Sequence, residues 1–214
     1  LAHIPLQLIK LYLGYESLLG LVPLFNLNAE HNLPAYYSSV ALLFCAALLA
    51  AIAFAKFKTG ASFPYHWLTL AAIFLFLALD ESLVLHEKLV FPVRNLLQTS
   101  GFFYYAWVVP YGVLVIVFVL AFLKFIAHLP PTTRLLFIIA GLVYVTGAIG
   151  FELLDGRLRE LLGEAKSQSL LYFLFTTIEE TLEMAGVVVF IYALTSYISS
   201  KLPDLRISFS SKTN

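Results

Sequence analysis

Long apolar runs, broken by proline and by short polar stretches, organise this chain of 214 residues. Residues 33–55 and 95–123 carry no charge at all. Each run exceeds the roughly 20 residues needed to cross a hydrocarbon core about 30 Å thick. The pattern predicts an all-α, polytopic transmembrane helix bundle of about six spans. These cover residues 4–25, 35–57, 66–89, 102–125, 133–158 and 169–198. Lys10 and Glu16 interrupt the first, which could instead lie along the interface. Pro34, Pro64, Pro92, Pro130, Pro131 and Pro203 fall in the connections, as residues that cannot continue a helix should. Pro110 falls inside the fourth span and predicts a kink there. Tyr36, Tyr37, Tyr65, Trp67, Tyr104, Tyr105 and Trp107 gather near the span ends, where amphipathic rings favour the interface. No internal repeat interrupts this order. Residues 1–203 read as one transmembrane domain, and residues 204–214 as a short polar tail.

Composition agrees with that class. Hydrophobic residues make up 61% and charged residues 12%, with a mean hydropathy of +0.90. The formal net charge is zero, so no basic surface argues for nucleic acid. The one cysteine, Cys45, lies in an Ala- and Leu-rich run, which excludes an intrachain disulfide and a cysteine-based zinc site. The first segment lacks a basic leader and a small-residue cleavage site, so it does not read as a signal peptide. Lys56, Lys58, Lys124, Arg134, Lys201, Arg206 and Lys212 fall on one side of the predicted topology. Lys88, Arg94, Arg157, Arg159 and Lys166 fall on the other. This modest bias places the N-terminus and the C-terminus in the cytoplasm.

The acids change the picture from architecture to chemistry. Asp80, Glu81 and Glu87 form one cluster, Glu152 and Asp155 a second, and Glu179, Glu180 and Glu183 a third. An ionisable side chain within a span is costly, and marks a functional site by default. The predicted topology puts all three clusters in the outer half of the membrane, on the order of 13 to 20 Å from their helix ends. At 100° per residue, Asp80 and Glu87 share a face, and Glu152, Asp155 and Arg159 share another. On the last helix Tyr172, Thr176, Glu179, Glu183 and Gly186 form one stripe, with Glu180 at its edge. Gly141, Gly147, Ala148, Gly150 and Gly186 would let helices approach closely.

So many carboxylates in one cavity need compensating positive charge, because like charges and burial both disfavour ionisation. A bound metal ion, protons, or Lys88, Arg94, Arg157 and Arg159 could each supply it. In the metal reading the ligands come from Asp80, Glu81, His86, Glu87, Glu152, Glu179, Glu180 and Glu183. Oxygen donors with one imidazole suit iron, manganese or zinc, and oxygen alone suits calcium. The di-iron bundle template needs Glu-x-x-His pairs, and this sequence has none. His31 could cap the cavity from a loop, whereas His66 and His128 fall on the opposite side. Ser82 precedes His86 by one turn, a spacing that predicts a local hydrogen bond rather than a nucleophile. No Gly-rich phosphate loop, His-Glu-x-x-His helix or Gly-x-Ser-x-Gly elbow is present. Two functions of different class remain. One is an intramembrane cation site used for transport or metal-assisted chemistry. The other is an accessory subunit of a larger membrane complex, whose acids form a buried ion-pair and hydrogen-bond network.

The stretches FNLNAEHNLPAYYSS, LFLALDESLVLHEKL and IEETLEMAGVVVFIYAL resemble a group of uncharacterised bacterial multipass membrane proteins with no established activity. The resemblance implies a bacterial inner-membrane protein and treats the three segments as one unit. It assigns a role to no residue.

Overall fold

The computed structural model describes residues 3–27, 29, 31–163 and 170–202. Among these residues the secondary structure is helical throughout. Five helices are long and apolar enough to cross a membrane: α3 (Leu33–Thr59), α4 (Pro64–Leu83), α7 (Val108–His128), the continuous rod Pro131–Leu162, and α10 (Leu170–Lys201). The rod comprises α8 (Pro131–Val145), a π-helical segment (Thr146–Phe151) and α9 (Glu152–Leu162).

The first predicted span is not a span. Its residues form α1 (His3–Leu13) and a single turn, α2 (Leu21–Leu24). Eleven residues reach only about 16 Å, too short for the hydrocarbon core. Between the two helices, Gly14 and Gly20 sit in left-handed conformations. The segment instead docks on the bundle. His3 Nδ1 accepts the Leu27 N–H at 3.0 Å, and the ring meets Phe173 of α10 edge-on. Gln7 Nε2 donates to Asn26 Oδ1 at 2.9 Å.

Local chemistry sets the helix ends. Asn32 caps α3, its Oδ1 accepting the Ala35 N–H at 3.1 Å. At the far end Gly60 takes φ 62, and Ala61 N–H returns to the Lys56 carbonyl at 3.1 Å, closing the helix in a Schellman-type turn. Pro64 then starts α4 after a turn of four residues. The resulting antiparallel pair, α3 and α4, is the most extensive contact in the bundle, and α10 packs across both α3 and α8. Cys45, Leu49, Ile52, Trp67, Phe125 and Leu194 fill its fully buried centre. Phe74 stacks on Phe190, with ring centroids 4.6 Å apart.

Pro110 produces no kink of the kind expected. Helix α7 begins only at Val108, so Pro110 is in its first turn, where a backbone N–H has no intrahelical partner to lose. The residues before it form a short 3-10 turn, Gly101–Phe103.

Two glycines allow a close approach of α10 to α8 and the π-helical segment. A Cβ on Gly186 would stand 2.8 Å from Tyr144 N and 3.0 Å from Ala140 O. One on Gly147 would stand 2.9 Å from Glu179 O and 3.0 Å from Glu183 Cγ. Both positions therefore need glycine, as the sequence pattern predicts. Gly141 faces open space, and Gly150 meets only Thr146 of its own segment.

Candidate acidic site

At 1.5 Å per residue, Asp80 lies about 24 Å from the start of α4, and Glu152 about 32 Å from the start of α8. Counted from Lys201, Glu183 and Glu179 lie about 27 and 33 Å along α10. The three clusters therefore share one level, at the end of the bundle away from Lys56, Lys58, Lys124, Arg134 and Lys201. That level is near the edge of a hydrocarbon core about 30 Å thick.

The third span runs through Asp80 and Glu81, as expected, but stops short of Glu87 and residue 89. Helix α4 stops at Leu83, and Val84 adopts a left-handed conformation with φ 53. The chain resumes as α5 (Leu85–Lys88) and α6 (Val90–Leu97). Asp80 is thus about one turn from its helix end, and the shared face predicted for Asp80 and Glu87 is lost. Glu87 is exposed while Asp80 is buried. The break has a local compensation. Asp80 Oδ1 accepts the His86 backbone N–H at 2.8 Å, and Oδ2 lies 3.2 Å from His86 Nδ1. The charge of this carboxylate also reaches the Tyr111 hydroxyl of α7.

His86 lies beyond the end of the span. Burial lowers its pKa, but the Asp80 hydrogen bond and the charges of Asp80, Glu87 and Glu152 outweigh burial and raise it above 6.5. Its ring packs on Trp107 at 4.9 Å. Trp107 in turn donates from Nε1 to Glu152 Oε1 at 2.9 Å. A continuous path therefore runs from Asp80 through His86 and Trp107 to Glu152. It joins the first acid cluster to the second through the start of α7.

Glu152 opens α9 directly after the π-helical segment. A π-bulge adds a residue to a turn and often marks a functional site; here it re-aims the acids of α9. The charges of Asp155 and Glu152 both reach Tyr105 and Tyr172, and Glu179 reaches Tyr172 as well. Glu179 and Glu183 of α10 pack against Gly147 of the same π segment. Glu81, Asp80, Glu180 and Glu183 all act on the buried hydroxyl of Tyr144. Seven of the eight predicted acids therefore belong to one electrostatic neighbourhood. Glu87 lies on its rim, and His31 is exposed in its loop.

The basic residues named as candidates to balance these acids are mostly engaged elsewhere. Arg94 donates from Nε to the Tyr104 carbonyl at 2.9 Å and stacks over the Tyr104 ring at 3.9 Å. Arg157 pairs with Glu160, whose carboxylate also receives the Gly101 N–H at 3.1 Å. Lys88 is exposed. Among the described residues, Arg159 is the base whose charge is felt at Tyr105 and Tyr172, beside Asp155 and Glu152. Its hydrogen bond to Tyr104 holds that hydroxyl below the usual tyrosine range. Tyr105 moves the other way, raised by burial and then by Asp155 and Glu152. Lys166 lies outside the described residues.

Among the described residues no three of His, Cys, Asp and Glu converge in an arrangement that could hold a metal ion. Ser82 does not pair with His86 as its spacing suggests. Its hydroxyl meets Ser39 Oγ at 2.6 Å, and Ser39 donates to the Ala78 carbonyl at 2.9 Å. The residues that sequence reading missed are aromatic: Trp107, Tyr111, Tyr105 and Tyr144. Tyr105 and Trp107 read as interface anchors, and only the four-residue spacing of Trp107 and Tyr111 hints that they share a face.

No curated protein and no solved structure matches the chain. One family model matches residues 7–198, nearly its whole length, and is described as a domain of unknown function. The five-span bundle with its acidic end therefore belongs to the DUF8692 family.

Proposed function

We propose that the acidic end of this membrane protein is a cation site, where His86 and neighbouring carboxylates take a divalent metal ion for transport or metal-assisted chemistry. The observation that carries this reading is the Asp80–His86 pair. Asp80 occupies Nδ1 of the imidazole and fixes the ring, which leaves Nε2 as the coordinating nitrogen. Metal-binding histidines are commonly oriented by a carboxylate in this way. In this role Asp80 positions the ligand rather than serving as one. Glu81, Glu152, Glu179, Glu180 and Glu183 are the oxygen donors in this reading, and they would have to close around the ion, since no three such groups converge among the described residues; Glu87 guards the rim. One nitrogen with several oxygens suits iron, manganese or zinc before calcium. The Lys-rich end faces the cytoplasm in this reading.

A second reading has its own support. Asp80 and Glu152 both have hydrogen-bond partners within the same chain, His86 and Trp107, as expected of a structural network in a subunit of a larger complex. Elemental analysis of the detergent-purified protein separates the two. Near-stoichiometric iron, manganese, zinc or calcium, lost in His86→Gln and Glu183→Gln but kept in Glu87→Gln, supports the cation site. A folded, metal-free wild type prepared without chelators overturns it, and a loss of melting temperature in Glu183→Gln then favours the network.

A further inference from the structure

The end of the bundle opposite the acids holds a cavity of about 220 Å³. That is several times the ~30 Å³ that one water occupies in the liquid. Lys56 and Lys201 enter it from the ends of α3 and α10, His128 from the end of α7, and Ser62 from the α3–α4 turn. Trp67 and Phe125, both buried, form its floor. Among the described residues no Asp or Glu lines it. Lys56 Nζ rests over the ring of Tyr197, another lining residue, 5.6 Å from its centroid.

Lysines in a last helical turn also complement the helix dipole, and that alone would not make a site. Lys58 provides the contrast. It leaves the same end of α3 but turns outward, over Phe54 at 4.6 Å. Lys56 and Lys201 instead line one concave surface, with two further polar side chains, His128 and Ser62, and an aromatic floor. Two lysines lining a cavity with such a floor suit a phosphate ester with an apolar neighbour. Basic pockets between transmembrane helices bind anionic lipid head groups by this chemistry.

We infer that this cavity binds a phosphate-bearing anion, held by Lys56 and Lys201 with hydrogen bonds from His128 and Ser62. The anion is either the head group of an anionic lipid or a free phosphate. The site is independent of the acidic end and of any cation there.

Native mass spectrometry of the full chain in detergent tests this, with phosphatidylglycerol or phosphatidylcholine added. One phosphatidylglycerol per chain should be retained in preference to phosphatidylcholine. Lys56→Gln/Lys201→Gln should weaken retention roughly 30-fold, from about one unit of lysine attraction each, while Lys58→Gln matches wild type. Ser62→Phe, in a turn and with both lysines intact, should block retention by filling the cavity, and it decides the matter if the double variant does not fold. Thermal melting in inorganic phosphate against chloride at equal ionic strength identifies the source. A phosphate-specific rise that also displaces the lipid assigns the site to free phosphate. Equal retention of both lipids without any phosphate effect would overturn the inference. So would equal weakening by Lys58→Gln and the double variant, which marks surface attraction only.

Discussion

The Asp80 carboxylate receives both the backbone N–H and the ring Nδ1 of His86, at 2.8 and 3.2 Å, across the interruption at Val84. A β-branched residue at φ 53 is a conformational outlier. The chain tolerates it because Asp80 is buried and would otherwise lack these donors. Asp80→Ala should therefore destabilise the protein by about 1.5–3 kcal/mol, the range for hydrogen bonds to a charged group. Melting in detergent checks it, and an unchanged transition would mean the pair is incidental.

Val84 itself offers the converse test. Glycine enters the left-handed region without the penalty of about 1–2 kcal/mol that L side chains carry there. Val84→Gly should melt a few degrees above wild type. Leu79→Gly, on an exposed part of α4, should melt lower by the usual cost of glycine within a helix, about 1 kcal/mol. If Val84→Gly proves the more damaging of the two, the left-handed turn is not strained.

Close approach of α8 and α10 depends on two missing methyl groups. A Cβ at Gly186 would collide with backbone atoms of Tyr144 and Ala140, which cannot rotate away. Gly186→Ala should cost about 1–3 kcal/mol by overpacking, and Gly147→Ala should do the same while displacing Glu179 and Glu183. Gly141→Ala, facing open space, should be neutral or slightly stabilising. Equal behaviour of all three in a melting series would refute the glycine contact as a determinant of the crossing.

Sequence context marks Trp107 as an interface anchor and Glu152 as an intramembrane acid, yet the two form one hydrogen bond at 2.9 Å. Trp107→Phe keeps the ring volume and removes the donor. A double-mutant cycle with Glu152→Gln should give a coupling of about 0.5–3 kcal/mol. Coupling near zero would break the proposed path from His86 to α9.

The fold was legible because spans are written in composition: uncharged runs such as residues 33–55 can do little else. The acid clusters were legible because ionisable residues are rare in such runs. What periodicity could not show is where a helix stops being regular. Spacing placed Asp80 and Glu87 on one face, but that presumes an unbroken helix, and Val84 breaks it. Nothing at Val84 signals a stop, since valine favours neither a cap nor a turn. The π-helical segment before Glu152 is equally silent in the sequence, apart from the glycines at 147 and 150. The first segment failed for a plainer reason. Its mean apolarity suits a span, but Gly14 at positive φ follows the end of α1 and Gly20 at positive φ precedes the start of α2, so the helix is interrupted between them.

The pH dependence of stability follows from the groups around His86. Asp80, Glu87 and Glu152 face the ring with negative charge, Trp107 covers it, and together the charges outweigh burial and raise its pKa above 6.5. A histidine whose folded pKa is raised adds stability that is complete below its unfolded value, near 6.5, and lost as pH climbs through the folded value. The melting difference between wild type and His86→Gln should therefore be largest at about pH 6 and shrink in the alkaline direction. Glu87→Gln removes one of the raising charges from an exposed position, so it should shift that decline to lower pH without abolishing the Asp80 contact. A difference constant from about pH 6 to pH 9 would show that His86 does not gain its proton on folding. The imidazole would then be held neutral by burial, and Asp80 would act through hydrogen bonding alone.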